Sequence, residues 1–102
     1  IGNIRLIMKK LVWKGVFIME LLTKEMEEKF PKLKEGDGTA HVKFYLPDTK
    51  WKWYACEYDP EEKIFYGLVE GQDKLWGRFT LAELEELKAI VDTNFVPRIV
   101  HE

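Results

Sequence analysis

The stretch that decides the fold is residues 42–79, VKFYLPDTKWKWYACEYDPEEKIFYGLVEGQDKLWGRF. It divides into three aromatic, β-rich runs, Val42–Leu46, Trp51–Tyr58 and Ile64–Glu70, and a shorter fourth, Leu75–Phe79. Turn residues separate them: Pro47-Asp48-Thr49, Asp59-Pro60-Glu61-Glu62 and Glu70-Gly71-Gln72-Asp73. Proline and glycine at these points set the dihedrals that a reversal needs, and β-branched and aromatic side chains fit a pleated, half-buried surface. Side chains alternate along a strand. Val42, Phe44 and Leu46 are therefore expected on one face and His41, Lys43 and Tyr45 on the other. In the second run Trp51, Trp53 and Ala55 are expected opposite Lys52, Tyr54, Cys56 and Tyr58, and in the third Ile64, Tyr66 and Leu68 opposite Phe65 and Val69.

Working outward, Thr80-Leu-Ala-Glu83 follows the fourth run as a capping box, with Phe79 and Leu84 at hydrophobic-staple positions. It predicts a helix over Thr80–Val91 with Leu81, Leu84, Leu87 and Val91 as its inward stripe. Upstream, Thr23 is a candidate N-cap for a helix that carries Met26 where a capping box has Glu, and Pro31 ends it at Phe30. The Phe95–Val100 tail reads as a short edge strand, since Pro97 cannot sit in a central one. The expected fold is α+β: a single domain in which an antiparallel meander of three to four strands packs against one or two helices.

The chain has 102 residues and a net charge of −2, but the charge is uneven. Residues 1–18 carry Arg5, Lys9, Lys10 and Lys14 and no acid, whereas residues 19–102 carry 12 basic and 18 acidic groups, a balance of −6. The expected organisation is therefore a basic N-terminal arm, 1–18, before a single α+β domain, 19–102. The first ten or so residues of the arm read as a helix and the rest as an extended piece. Lys14-Gly15-Val16 is also encodable by a purine-rich run two codons before Met19, so the arm is open to the reading that translation of the native protein starts at Met19. There is no serine, the amide side chains are Asn3, Gln72 and Asn94, and Lys and Glu dominate the charge, a thermophile-like choice. No run is long and apolar enough to cross a membrane, Leu11–Leu22 being broken by Lys14 and Glu20. No membrane partner and a cytoplasmic location are expected.

Catalytic signals are weak. The lone cysteine, Cys56, reads as a small buried hydrophobe, and His41 and His101 are isolated in sequence. Glu57, Asp59, Glu61 and Glu62 crowd one turn without EF-hand spacing, and no phosphate-cradling glycine loop occurs. No catalytic residue, metal or cofactor is expected, and the chain is not read as an enzyme. The candidate binding surface is Lys43, Tyr45, Lys50, Trp51, Lys52, Trp53 and Tyr54, where rings interleave with lysines as single-stranded nucleic acid would require. The acidic body opposes a polyanion.

Taken in order, Leu21-Leu22-Thr23-Lys24-Glu25, Val42-Lys43-Phe44-Tyr45-x-Pro47, Trp51-x-Trp53-Tyr54, Glu57, Phe65-Tyr66-Gly67-Leu68-Val69-x-Gly71 and Gly77-x-Phe79-x-Leu81-x-Glu83-Leu84 resemble a small family of unknown function. Its members are short proteins often carried on plasmids, phages and other mobile elements. The resemblance runs from about Met19 to Leu87 and implies a start near Met19. Family members tend to carry an acidic-Arg-Asp group before an aromatic near the C-terminus; Val91-Asp92-Thr93-Asn94-Phe95 lacks that arginine, so no role transfers. The resulting expectation is a non-catalytic accessory protein of a mobile element, in the host cytoplasm if virus-encoded. It would bind an unidentified protein partner, with a homodimer as one form. The alternative is nucleic-acid binding through the Lys/Trp strand and the basic arm.

Overall fold

The computed structural model describes residues 21–101 throughout and, before them, the backbone of β1 (Val12–Trp13) and β2 (Val16–Phe17), which pair antiparallel. The arm residues Arg5, Lys9, Lys10 and Lys14, and the start at Met19, lie outside the described residues. After α1 (Lys24–Glu27) come β3 (Thr39–Ala40), β4 (Val42–Tyr45), β5 (Lys52–Asp59), β6 (Ile64–Glu70), β7 (Lys74–Thr80), α2 (Leu81–Leu87), β8 (Ile90–Val91) and β9 (Arg98–Ile99). The expected meander is β4–β5–β6–β7, each pair antiparallel. A fifth strand, β8, adds to the other side of β4, giving the order β7-β6-β5-β4-β8. β3 and β9 form a separate antiparallel pair. The architecture is thus a mostly antiparallel sheet with two short helices.

The sheet is buried on both faces, which is why β5 reads as a near-continuous apolar run. One face carries Val42, Phe44, Trp53, Ala55, Phe65 and Phe79 beneath Leu22, Leu84 and Ala89. Phe65 is the hub, with ring centroids of Tyr58 at 4.6 Å, Phe79 at 5.3 Å, Phe44 at 5.4 Å and Phe30 at 5.7 Å. The other face carries Tyr54, Cys56 and Leu68, covered by Ala40, Val100 and Phe95 from the β3–β9 pair and the tail.

A bulge at Cys56 overturns the expected placement of Tyr58. The β5–β6 register slips between Ala55 and Glu57, so Ala55 opposes Gly67 while Glu57 opposes Tyr66. The extra residue of this bulge keeps Cys56 on the second face with Tyr54 and swings Tyr58 into the first. Sequence alternation placed Tyr58 beside Cys56, because a period of two carries no signal for one inserted residue.

Both helices are shorter than the sequence predicts. Thr23 does cap α1: its Oγ1 accepts from the Met26 N–H at 3.2 Å, and Met26 Sδ accepts from the Thr23 N–H at 3.5 Å, sulfur standing in for the expected carboxylate. The helix closes after Glu27 in single turns to Phe30. At α2 the capping box forms as read, with Glu83 N–H to Thr80 Oγ1 at 3.0 Å and Thr80 N–H to Glu83 Oε1 at 2.9 Å. Lys88 then adopts a left-handed conformation, φ 65°, and the Ala89 N–H caps the Leu84 carbonyl at 3.0 Å. The expected inward stripe therefore breaks. Leu84 is fully buried and Leu81 packs on the core, but Leu87 is 49 % exposed and Val91 belongs to β8, opposite Phe44.

Candidate functional site

The β4–β5 hairpin places Lys43 opposite Tyr54, Phe44 opposite Trp53 and Tyr45 opposite Lys52. Directly opposed residues share a face. Lys43, Tyr45, Lys52 and Tyr54 are thus together, while Trp53 lies on the other side. Of the three rings Trp51, Trp53 and Tyr54 that stand in this stretch, two are buried: Trp53 is 6 % exposed and Tyr54 7 %. Trp51 keeps 40 % of its surface, stacks on Trp53 at 6.1 Å and lies over Gly71. A Cβ at Gly71 would sit 2.4 Å from that indole, so this glycine makes room for the ring as well as for the turn.

The lysines around these rings are partly engaged. Lys43 Nζ lies 3.5 Å from Asp92 Oδ2 and 5.6 Å from the centre of the Tyr54 ring. Arg98, from the tail, lies 5.7 Å over the same ring and 5.6 Å over Phe95. The Tyr54 hydroxyl donates to Glu70 Oε1 at 3.4 Å, and burial, then the Glu70 charge, raise its pKa. Lys50 is exposed and Lys52 half-buried. The seven candidate residues are therefore split between two packed faces and a rim, with Trp51 and Lys50 the most open of them.

Glu57 leaves the acidic turn altogether. Its carboxylate accepts the Lys34 N–H at 2.6 Å and the Gly36 N–H at 3.1 Å, so it pins the 32–38 loop to the bulge. Leu33, Lys34, Glu57, Tyr66 and Arg78 line a cleft of about 340 Å³. A second cleft of about 440 Å³ lies beside Phe30, Gly36, Asp37 and His41. Hydrogen bonding from Thr39 lowers the Asp37 pKa. Burial, followed by the charges of Glu57 and Asp37, pushes the Cys56 thiol up to about 11, which disfavours the thiolate that a nucleophile needs. Among the described residues no group of three or more His, Cys, Asp or Glu side chains is placed to hold a metal ion. Nor is any helix long and apolar enough to cross a membrane.

The feature that the sequence reading passed over is the outer side of β7. It is the terminal strand of the five-stranded sheet, seven residues long, and among the described residues nothing pairs with its outer edge. Leu75 is 62 % exposed, Lys74 and Arg78 are exposed, and Trp76 stacks on Tyr66 at 5.8 Å. Gly67 and Gly77 face each other across β6 and β7 for different reasons. A Cβ on Gly67 would collide with the Tyr54 carbonyl oxygen at 1.9 Å, whereas one on Gly77 would meet nothing within 4 Å. Gly77 therefore leaves a notch between Leu75 and Phe79. The signal in the sequence was the absence of proline from a run ending in turn residues, but an edge is a property of strand order.

With this geometry in hand, the chain is placed by comparison: it belongs to the family described as Protein of unknown function (DUF2958), whose model matches residues 17–99. The match extends beyond the resemblance read from the motifs and takes in β8 and β9. No curated protein and no solved structure matches the chain.

Proposed function

We propose that this chain is a non-catalytic accessory protein of a mobile genetic element that works by binding another protein along the outer edge of β7. The observation that carries the reading is a seven-residue terminal strand, free of proline, with Leu75 open to solvent. A strand edge exposes a row of backbone donors and acceptors, and an extended segment of a partner satisfies them by adding a strand. Trp53 and Tyr54 are committed to opposite packed faces and are poor stacking surfaces for bases. A nucleic-acid reading keeps Trp51, Lys50 and Lys52 as its support, together with the basic arm.

The test is purification of the tagged chain from its native cell, followed by hydrogen exchange on whatever complex is recovered. New protection of β7 amides supports edge binding. In parallel, single-stranded and duplex DNA and RNA are titrated at two salt concentrations with Lys50→Ala, Lys52→Ala and Trp51→Ala. Tight, salt-sensitive binding that these variants abolish would overturn the proposal in favour of the nucleic-acid reading.

A further inference from the structure

Rows of side chains run across the sheet and stop at β7. On the face shared with Tyr54, one row reads Lys52, Glu70, Lys74, with alternating sign. The next reads Lys43, Tyr54, Leu68, Trp76, and the third Glu57, Tyr66, Arg78. On the opposite face the rows end at Leu75, at the Gly77 notch and at Phe79. Cross-strand neighbours of opposite charge stabilise a sheet and like charges opposite one another destabilise it. The side chains that would continue these rows are therefore specified by chemistry.

From this continuation we infer that β7 takes an antiparallel extended segment of another protein, with acidic residues opposite Lys74 and Arg78, an apolar residue opposite Trp76 and a large apolar or aromatic residue filling the notch at Gly77. The inference rests on the edge-binding reading above and adds the partner's chemistry to it. A second copy of this chain fits worse. Pairing two β7 strands about Trp76 sets Lys74 against Arg78 of the second copy, and pairing them about Gly77 sets glycine against glycine and leaves the notch empty. An acidic segment meets neither obstacle, and the lysine at the end of the alternating row calls for an acid next.

The probe is a capped peptide, Thr-Val-Glu-Tyr-Val-Val-Glu-Thr, whose antiparallel register puts its glutamates opposite Arg78 and Lys74 and its tyrosine beside Gly77. It is added to the full chain and followed by amide chemical shifts and hydrogen exchange. The expected result is saturable binding with new protection confined to β7. The same peptide with lysine in place of both glutamates should bind about tenfold more weakly, two attractive cross-strand pairs having become repulsive. The Lys74→Glu, Arg78→Glu double variant should reverse the preference, a result that mere loss of fold would not produce; its melt is checked beside the parent. No binding, or protection elsewhere, overturns both this inference and the edge reading. Equal binding of the two peptides, or a preference unmoved by charge reversal, overturns the inference and leaves the edge reading standing. Slow exchange on the outer side of β7 in the free chain overturns it too, because the edge is then already occupied.

Discussion

The bulge at Cys56 has a measurable signature in the coupling between Tyr58 and Phe65. Their ring centroids lie 4.6 Å apart at 34°, and both belong to the core on the α2 side of the sheet. Without the extra residue Tyr58 would fall on the opposite face with Tyr54. A double-mutant cycle separates the two arrangements. Phe65→Leu and Tyr58→Leu keep most of the apolar volume while removing ring–ring contact, so each should cost roughly 1 kcal/mol, well short of the roughly 3–5 kcal/mol of a Phe→Ala truncation. The interaction between the rings should appear as a coupling of about 0.5–1.5 kcal/mol. Against a total stability of about 5–15 kcal/mol this is resolvable by urea unfolding, provided m stays constant. The matched control pairs Phe65→Leu with Tyr54→Leu, whose rings belong to different cores, and should be additive to within about 0.3–0.5 kcal/mol. A Tyr58 coupling no larger than the Tyr54 control would refute the bulge and the placement of Tyr58 together.

Leu84→Ala removes a fully buried side chain beneath the Phe79 staple and should cost about 2–5 kcal/mol in the same unfolding assay, whereas Leu87→Ala, half exposed, should stay under roughly 1 kcal/mol. The two facing glycines should answer oppositely: Gly67→Ala drives a methyl into the Tyr54 carbonyl and should destabilise by roughly 1–3 kcal/mol or more, while Gly77→Ala, with open space around it, should be neutral or stabilising by up to about 1 kcal/mol. Burial is the first cause that raises the Cys56 thiol from 9.0 to about 11 and the Tyr58 phenol from 10.0 to about 12. The unfolded chain therefore ionises first at these two groups, so their contribution to stability should be level below pH 9 and fall as pH rises through 9–12. Urea midpoints across that range, with Cys56→Ala flattening the lower part of the fall, check the sign.

The sequence alone determined those features whose cause is local. The four runs of the meander were legible because strand propensity, alternation and turn residues agree over short distances, and Thr80, Glu83, Phe79 and Leu84 announce the start of α2 because a capping box involves four neighbouring positions. The pairing of Lys43 with Tyr54 is a matter of strand register, which the runs themselves did not specify. What the tertiary structure decided depends on groups far apart in the chain. The left-handed Lys88 ends α2, and Ile90–Val91 pair with β4, a partner nearly fifty residues upstream that no local helix signal reveals. The tail closes the second face by pairing Arg98–Ile99 with Thr39–Ala40, so that Tyr54 becomes core instead of surface. Glu57, one acid among several near a turn, acquires its role from two amides 21 and 23 residues away. The outer side of β7, unpaired among the described residues, depends on strand order across the whole sheet, and no window of residues contains that information. Local dihedral and capping preferences act within a few residues, whereas burial and edge exposure are set only when distant strands have taken their places.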